Sequence, residues 1–301
     1  MTPASSVVLV TGCSSGIGRE TARHLAGLGH TVIATARRVE DLAELAAAGC
    51  RTLPLDVTDE ASMRAAVEAV ETAHGRIDVL VNNAGYSQSG AVESVPLART
   101  RSQFETNVFG PLRLTQLVLP GMRRRGAGRI VNVSSMGGRL VFPGGGVYHA
   151  SKYALEALSD ALRYELRPFG IAVVLIEPGL IRTNFAATVG ATLATLSADT
   201  NATGPASDAA AVYAAFNDVV ARGTAAAYER GPMARMAGAP LDVARMIERA
   251  IEASRPRARY TVAVSATVFL TLRRWLGDAG WDWFLRANFA SPTPAKAART
   301  E

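Results

Sequence analysis

The chain has 301 residues, of which 49% are hydrophobic and 19% are charged, a balance typical of a globular protein and not of a disordered one. Lys and Arg number 32 against 26 Asp and Glu, so the formal net charge is +6. The densest basic group, at 123–129, lacks interleaved aromatic residues and suits a helix C-terminus, so we expect no nucleic-acid partner.

The two cysteines, Cys13 and Cys50, and the four histidines show no metal-ligand spacing, so we expect no bound metal and a reducing compartment. The N-terminus lacks the basic region of a signal peptide. The longest apolar run, near 261–272, is too short and too interrupted to span a bilayer. These features predict a cytoplasmic protein.

The first element is a short apolar run, Val7–Val10, which predicts a buried parallel strand. It leads into TGCSSGIG at 11–18 and then into a helical pattern. A strand, a glycine-rich turn and a helix in this order indicate dinucleotide binding, with a plain flexible loop as the alternative. Gly12, Gly16 and Gly18 would permit the tight turn, the approach of the pyrophosphate and helix–strand packing, and the helix N-terminus favours phosphate.

The second predicted strand, Thr31–Ala36, ends in Arg37 and Arg38. An NAD site usually carries an acidic residue here for the ribose 2′-hydroxyl. Two arginines can instead pair with a 2′-phosphate, so we expect NADP(H) in preference to NAD(H). The alternative is that one or both arginines face solvent.

Strands and helices then alternate. A helix at about 40–47 precedes a strand in RTLPLDV at 51–57, which ends near Asp56, a carboxylate that can accept from the adenine amino group. A helix at 59–74 and a strand at 77–81 lead to NNAG at 82–85. This alternation predicts a doubly wound parallel α/β sheet in a single domain.

A tyrosine and a lysine, Tyr148 and Lys152, follow the two serines at 134–135 and a glycine-rich loop. An i,i+4 spacing places them on one helix face, where an ammonium favours the phenolate and lowers a tyrosine pKa that starts near ~10. Lysine occurs only at 152 and 296, which favours a role at Lys152 that arginine does not fill. The alternative is an amphipathic helix start with a half-exposed tyrosine and a solvated lysine.

In their order along the chain, these motifs make the sequence similar to the short-chain dehydrogenase/reductase family, in its standard-length branch and among hydroxysteroid- and retinol-dehydrogenase-like members. The resemblance covers about residues 7–183. Its motifs are TGCSSGIG, Asp56-Val57, NNAG, Asn107 in TNVFG, Ser135, Tyr148 and Lys152 in YHASK, and Pro178-Gly179 followed by Thr183. The family implies a Rossmann-type fold of about seven strands with helices on both faces.

The resemblance also implies roles for individual residues. Asn107, Ser135, Tyr148 and Lys152 would form a catalytic tetrad, with Ser135 preferred to Ser134 because of its spacing to the tyrosine. Tyr148 would act as general acid/base, Ser135 as a second donor, Lys152 as a ligand of the nicotinamide ribose, and Asn107 as the anchor of a water. Thr183 has a helix N-cap as its alternative role. The expected cofactor contacts are Gly12, Ser14, Ser15, Gly16, Ile17, Gly18, Arg37, Arg38, Asp56, Val57, Asn83, Ala84, Gly85, Tyr148, Lys152, Pro178, Gly179, Ile181 and Thr183.

The second half begins with a predicted helix at 148–168 and a strand at 171–177. Residues 184–238 are rich in Ala, Thr, Gly and Ser; in this family such an insertion is a substrate lid, and a poorly packed connector is the alternative. Tyr213, Phe216 and Tyr228 are its candidate pocket residues. A helix at 240–253 and a last strand at 259–264 follow.

The C-terminal segment at 268–289 combines Trp275, Trp281 and Trp283 with arginines. Contact with a membrane surface is one interpretation; packing onto the body as a lid or dimer contact is the favoured one. Residues 291–301 are predicted to be disordered.

The sequence therefore predicts one domain with a core at 5–183, a lid at 184–238, a C-terminal extension at 239–290 and a disordered tail at 291–301. The expected activity is NADP(H)-dependent interconversion of a carbonyl and an alcohol on a small hydrophobic substrate, in a homodimer or homotetramer. A non-catalytic NADP(H)-sensing regulator on the same fold is the alternative.

Overall fold

The computed structural model describes residues 5–198, 209 and 212–289. Its core is a seven-stranded sheet in the order β3-β2-β1-β4-β5-β6-β7, and every neighbouring pair is parallel. This architecture confirms the predicted doubly wound sheet. The strands are β1 (Val7–Val10), β2 (Thr31–Ala36), β3 (Arg51–Pro54), β4 (Val79–Asn82), β5 (Gly128–Val133), β6 (Ile171–Pro178) and β7 (Arg259–Val262).

Helices cover both faces of the sheet. A π-helical turn at Glu105–Phe109 joins α4 to α5. The helices are α1 (Gly16–Gly27), α2 (Ala43–Ala47), α3 (Glu60–His74), α4 (Leu97–Phe104), α5 (Gly110–Arg125), α6 (Gly146–Glu165), α7 (Phe185–Ala198), α8 (Ala214–Glu229), α9 (Gly231–Arg235), α10 (Pro240–Glu252) and α11 (Val264–Asn288).

Two apolar layers explain why the central strands β1 and β4 are buried along their whole length. Successive side chains of a strand point to opposite faces, so Val8 and Val10 pack with α1 and α10, while Leu9 packs with α3 and α5. Because both faces are covered, strand residues on either side lose contact with water. Burial of this apolar surface is the main stabilising contribution to the fold.

Several element ends differ from the predicted ones. Strand β3 stops at Pro54, because Asp56 instead accepts hydrogen bonds from the backbone and hydroxyl of Thr58 at 2.9 and 2.8 Å. Helix α6 begins two residues before Tyr148. The insertion, to which the sequence assigned no regular elements, contains α7, α8 and α9. Residues 199–208 of the insertion and the predicted tail at 291–301 lie outside the described residues.

The order of the strands locates the candidate site. The chain moves outward from β1 through β2 to β3, then returns to place β4 on the other side of β1. The connections after β1 and β4 therefore diverge and leave a crevice at the carboxyl ends of these strands, where ligands bind in open α/β sheets. Among the described helices, none combines the length and hydropathy that a bilayer crossing requires.

Candidate active site

The glycine-rich loop after β1 packs against the segment that follows β4. Gly12 has φ +72°, and a Cβ there would lie 2.7 Å from the Cα of Ala84. A Cβ at Gly18 would clash with the carbonyl oxygen of Gly12 and with the side-chain amide of Asn83. These two positions require glycine because two backbone segments meet there without room for a side chain.

Asn83 and Thr11 hold the two connections together. The Asn83 side chain donates to the carbonyl oxygens of Thr11 at 2.9 Å and Gly12 at 3.1 Å. In return, the Thr11 hydroxyl accepts from the backbone amides of Asn83 and Ala84, both at 3.0 Å. Asn83 and Ala84 therefore support the glycine-rich loop; their contact with a cofactor stays a prediction.

The start of α1 fits a dinucleotide phosphate. Its N-cap, Ser15, makes no side-chain hydrogen bond to the first turn, and that turn contains no acidic residue. The first amides of a helix have no partner within the helix itself. A phosphate group at this end would take the amides of Gly16, Ile17 and Gly18 and would benefit from the helix dipole.

The two arginines after β2 differ in their surroundings. Arg38 pairs with Asp41 at 2.7 Å, while Arg37 has no ion pair among the residues that the structure describes. Both side chains are exposed. Arg37 is therefore the better placed of the two for a 2′-phosphate. The carboxylate of Asp56 has one oxygen engaged by Thr58.

Lys152 lies inside the protein. Only 6% of it is exposed, its Nζ donates to the carbonyl oxygen of Val133 at 2.8 Å, and Nζ lies 5.9 Å from the ring centroid of Tyr148. A Cβ at Gly85 would lie 3.8 Å from the same nitrogen. The alternative of a solvated lysine is therefore wrong, and the lysine, the tyrosine and the NNAG segment meet at one place.

Asn107 lies in the π-helical turn and is almost completely buried. Its side-chain amide donates to the carbonyl oxygen of Tyr86 at 3.0 Å and to the Ser151 hydroxyl at 3.1 Å. Its Oδ1 accepts from the Tyr86 amide at 3.2 Å. These bonds join the turn to α6 and to the segment after β4. A water held by Asn107, as predicted, would have to use the remaining Oδ1 lone pair or the backbone carbonyl.

Ser135 stands at the end of β5 and begins a short turn. Its hydroxyl accepts from the Gly137 amide at 3.0 Å, and its side chain is close enough to Tyr148 to influence the pKa of the phenol. The backbone amide of Ser134, by contrast, donates to Ile176 of β6 at 2.8 Å. Both serines line the cavity, and the choice of Ser135 over Ser134 as the catalytic residue stays a prediction.

Burial controls the protonation of the tyrosine and the lysine. It raises the pKa of Tyr148, and the nearby Ser135 side chain acts in the opposite direction. It also lowers the pKa of Lys152 to about 8, against the attraction of Glu156. The expected lowering of the Tyr148 pKa is therefore reversed, because loss of water disfavours the charged form of either group.

A cavity of about 550 Å³ runs from the glycine-rich loop to the C-terminal helix. It is bordered by Ser135 and Tyr148 at one side and by α8 and α11 elsewhere. Its walls are mostly apolar. Besides these residues and the loops at 142–145 and 178–181, they include Ile17, Met136, His149, Phe185, Val189, Phe216, Val220, Tyr228, Met233, Phe269, Phe284 and Phe289.

The insertion contributes aromatic residues to this cavity, although not all of those expected. The Phe185 ring lies 5.6 Å from that of Tyr148 and 6.2 Å from that of Tyr228, and Phe216 also lines the cavity. Tyr213 does not; its hydroxyl instead donates to Glu93 at 2.9 Å. Its selection as a pocket residue was wrong, because it lies at the start of α8 on the outer surface.

Sequence reasoning missed Phe185 and His149 as wall residues. Phe185 lies two positions beyond Thr183, whose hydroxyl accepts from the Phe185 amide at 3.2 Å, and this short separation from the motif was the available signal. His149 lies within YHASK itself. Because histidine is polar, the pattern of apolar residues along the helix did not predict that it is buried.

The C-terminal helix α11 packs onto the body of the protein. Trp281 is 4% exposed, and its indole nitrogen donates to the carbonyl oxygen of Val141 at 3.2 Å. A Cβ at Gly179 would lie 2.6 Å from the amide of Ala266, so the helix start needs a glycine at the end of β6. Trp275 and Trp283 remain exposed.

A family model described as short chain dehydrogenase matches residues 6–194. The uncharacterized oxidoreductase YbbO of Escherichia coli K12 is 37% identical over 280 residues, which are 93% of each chain. A 3-ketodihydrosphingosine reductase of Bacteroides thetaiotaomicron is 42% identical over 180 residues, which are 60% of this chain and 65% of that protein.

Solved structures are similar over nearly the whole chain. A short-chain dehydrogenase of Streptomyces avermitilis is 36% identical, with a TM-score of 0.72 over 96% of this chain and 100% of that one. One from Burkholderia phymatum in complex with NAD is 25% identical, with a TM-score of 0.75 over 98% and 100%. A serine dehydrogenase complexed with NADP⁺ is 28% identical, with a TM-score of 0.69 over 85% and 94%.

Proposed function

The chain belongs to the short-chain dehydrogenase/reductase family of NAD(P)-dependent oxidoreductases, and on this premise we propose that it interconverts a carbonyl and an alcohol on a hydrophobic substrate, with NADP(H) as the preferred cofactor. One observation carries the proposal. Ser135 and Tyr148 line an apolar cavity that reaches the glycine-rich loop, and the Nζ of the buried Lys152 lies 5.9 Å from the ring centroid of Tyr148.

The proton steps belong to Tyr148 and Ser135. The bound nicotinamide supplies the hydride in reduction and accepts it in oxidation. Tyr148 donates its hydroxyl proton to the carbonyl oxygen as general acid, and in alcohol oxidation its phenolate removes the same proton. The Ser135 hydroxyl donates a second hydrogen bond to that oxygen, where negative charge develops.

Lys152 supports this chemistry from its buried position. An ammonium has three donors, and one of them is used by the Val133 carbonyl. The other two are left for the hydroxyls of the nicotinamide ribose. Asn107 contributes by positioning, since it ties the π-helical turn to Ser151 on α6, the helix that carries both Tyr148 and Lys152.

The remaining cofactor contacts follow the carboxyl edge of the sheet. The first amides of α1 would hold the pyrophosphate, and Ile181 and Thr183 would hold the nicotinamide carboxamide. Arg37 would pair with the 2′-phosphate, since no acidic residue stands at the end of β2 to hold a free ribose hydroxyl. Similar proteins are described with NAD and with NADP⁺, so Arg37 is the support for NADP(H).

The cavity and one relative support a hydrophobic substrate. The walls near Tyr148 are formed by Phe185, Met136 and Phe142, and a hydrophobic wall favours an apolar ligand body. The match to the relative named 3-ketodihydrosphingosine reductase spans 65% of the length of that protein. It supports a carbonyl substrate with a large apolar portion.

The insertion would act as the lid of this cavity. Helices α7 and α8 pack together beside the cavity, where Val189 and Val220 belong to one apolar cluster. Closure of such a segment would exclude water during reduction. Assembly as a homodimer or homotetramer stays a prediction, which light scattering of the purified protein would test.

A panel of aldehydes and ketones, assayed with NADPH and NADH, tests the proposal. We expect reduction of apolar ketones, with kcat/KM at least about tenfold higher for NADPH, since a charge-assisted phosphate contact contributes roughly 1.5–3 kcal/mol. Tight NADPH binding without turnover of any member would favour the non-catalytic regulator. A preference for NADH would contradict the role of Arg37.

A further inference from the structure

His149 follows the catalytic tyrosine and is buried in the wall of the cavity. It is 7% exposed, and its Nδ1 lies 3.1 Å from the carbonyl oxygen of Gly137. Its other ring nitrogen, Nε2, has no hydrogen-bond partner among the described residues. Unlike the fully buried polar atoms that lack a partner, Nε2 is accessible to solvent. Since His149 lines the cavity, Nε2 faces that space.

The hydrogen bond at Nδ1 decides the chemical character of Nε2. A carbonyl oxygen only accepts, so Nδ1 must carry the proton. Burial lowers the pKa of His149 to about 4, and the ring is therefore neutral at neutral pH. In a neutral imidazole with the proton on Nδ1, Nε2 is an acceptor with a free lone pair.

Gly145 keeps this acceptor uncovered. A Cβ at position 145 would lie 2.5 Å from Nε2, so any other residue there would cover the nitrogen. Gly145 lines the same cavity. A buried acceptor that is open to a binding cavity costs free energy unless a ligand or water donates to it.

The ring of His149 lies between the reacting centre and an aromatic cluster. Its centroid is 5.5 Å from that of Tyr148 and 6.3 Å from that of Phe142. The ring centroid of Phe142 in turn lies 5.3 Å from that of Phe269 and 5.8 Å from that of Trp281. A ligand group that reaches Nε2 would therefore lie in the same part of the cavity wall as the ring of Tyr148.

We propose that His149 is a specificity-determining residue whose Nε2 accepts a hydrogen bond from an O–H or N–H group close to the reacting carbonyl of the substrate. The inference rests on the proposed function and narrows it. The substrate class becomes hydrophobic ketones or aldehydes that carry a hydroxyl or an amino group next to the carbonyl carbon.

Two substitutions separate the two ring nitrogens. In H149N the side-chain amide occupies roughly the place of Nδ1, so the donor to Gly137 is kept and the acceptor facing the cavity is lost. In H149Q the amide oxygen reaches roughly the place of Nε2, so an acceptor is kept and the bond to Gly137 is lost. F142L is the matched control, because it removes a neighbouring ring and leaves the acceptor intact.

Binding is measured by calorimetry with four ligands in the absence of cofactor, so that neither the ketone nor a hydroxyl group reacts. The ligands are a medium-chain methyl ketone and its versions with a hydroxyl, an amino or a methoxy group on the adjacent methyl carbon. The methoxy group has the oxygen of the hydroxyl without its donor. The hydroxyl and amino compounds show which of the two donors the protein prefers.

In the wild type we expect the hydroxyl or the amino ketone to bind about fivefold to tenfold more tightly than the methoxy ketone. The ratio should fall to about one in H149N, persist in H149Q, and persist in F142L with all affinities reduced in parallel. A wild-type ratio near one overturns the proposal whatever the variants do. A ratio that is unchanged in H149N overturns it as well.

The same ketones assayed with reduced cofactor test the proposed function separately, since the binding ratio requires no chemistry. Turnover without any preference for a donor would remove the role of His149 and leave the oxidoreductase activity in place. A donor preference that depends on His149, without turnover, would retain the binding site and contradict the activity.

Discussion

The ammonium of Lys152 donates a hydrogen bond to the backbone carbonyl of Val133 at 2.8 Å, and no acidic side chain forms an ion pair with it among the described residues. Burial consequently lowers the pKa of Lys152 to about 8. A charged group held in this way costs folding free energy that a neutral side chain would not cost. The carbonyl at the end of β5 thus fixes the lysine at the site and the protein tolerates an unfavourable charge there.

This relationship predicts a pH dependence of stability. The Lys152 pKa is about 8 in the folded protein and near 10.5 in the unfolded chain, so between these values the unfolded chain binds more protons and stability rises with pH. Relative to K152M, the wild type should gain roughly 3 kcal/mol between pH 7 and about pH 10.5. Urea unfolding of both proteins across this range measures the difference, and parallel curves would contradict the burial of a charged lysine.

Replacement of Tyr148 tests the proton donor. In Y148F we expect kcat/KM to fall by about a thousandfold, because positioned acid/base groups contribute 10²–10⁴-fold, while the dissociation constant of NADPH changes little. Y153F is the control, since Tyr153 lies on the same helix and is 42% exposed. Near wild-type reduction by Y148F would falsify the assignment.

Ser135 should shift the pH profile of alcohol oxidation. Its side chain lowers the Tyr148 pKa against the effect of burial, so S135A is expected to move the alkaline rise of kcat/KM to higher pH. The rate itself should fall by about a hundredfold with the loss of one donor to the reacting oxygen. The control is S134A, in which we expect the alkaline rise of kcat/KM to have the same midpoint pH as in the wild type. A midpoint that stays in place in S135A would show that the two hydroxyls do not interact.

The two arginines after β2 should contribute unequally to cofactor choice. In R37A we expect the KM for NADPH to rise by about tenfold to a hundredfold and the KM for NADH to change little, since a charge-assisted contact contributes 1.5–3 kcal/mol. In R38A the effect on NADPH should be smaller, because Arg38 is already paired with Asp41. Steady-state kinetics with both cofactors decide this, and equal effects of the two substitutions would argue against the distinction.

The glycine-rich loop offers a matched pair of substitutions. A Cβ at Gly18 would clash with the carbonyl of Gly12, so G18A should displace the loop and weaken NADPH binding by at least about tenfold. A Cβ at Gly27, at the end of the same helix, would meet nothing within 4 Å. G27A should therefore bind NADPH as the wild type does and be as stable or more stable by less than about 1 kcal/mol. Fluorescence titration with NADPH and thermal unfolding test both variants.

Local patterns in the sequence were sufficient to predict the sheet and to select the residues of a candidate site. Each of these patterns consists of residues that are close together in the sequence. The apolar run at Val7–Val10 therefore predicts a strand, the glycines after it predict a loop, and the i,i+4 spacing of Tyr148 and Lys152 predicts a helix. The alternation of these elements then predicted the parallel sheet, because parallel strands require a crossover between them. The similarity of the motifs to one family assigned their roles.

Tertiary structure alone decided how those residues are surrounded. Gly12 must be glycine because of Ala84. The surrounding fold reduces the contact of Tyr148 and Lys152 with water, which raises the pKa of the tyrosine and lowers that of the lysine. In the insertion, an alanine-rich composition gave no periodicity by which to place Phe185 at the cavity and Tyr213 outside it. Burial and contact between distant segments depend on how the elements pack in three dimensions, and the spacing of residues along the chain does not contain that information.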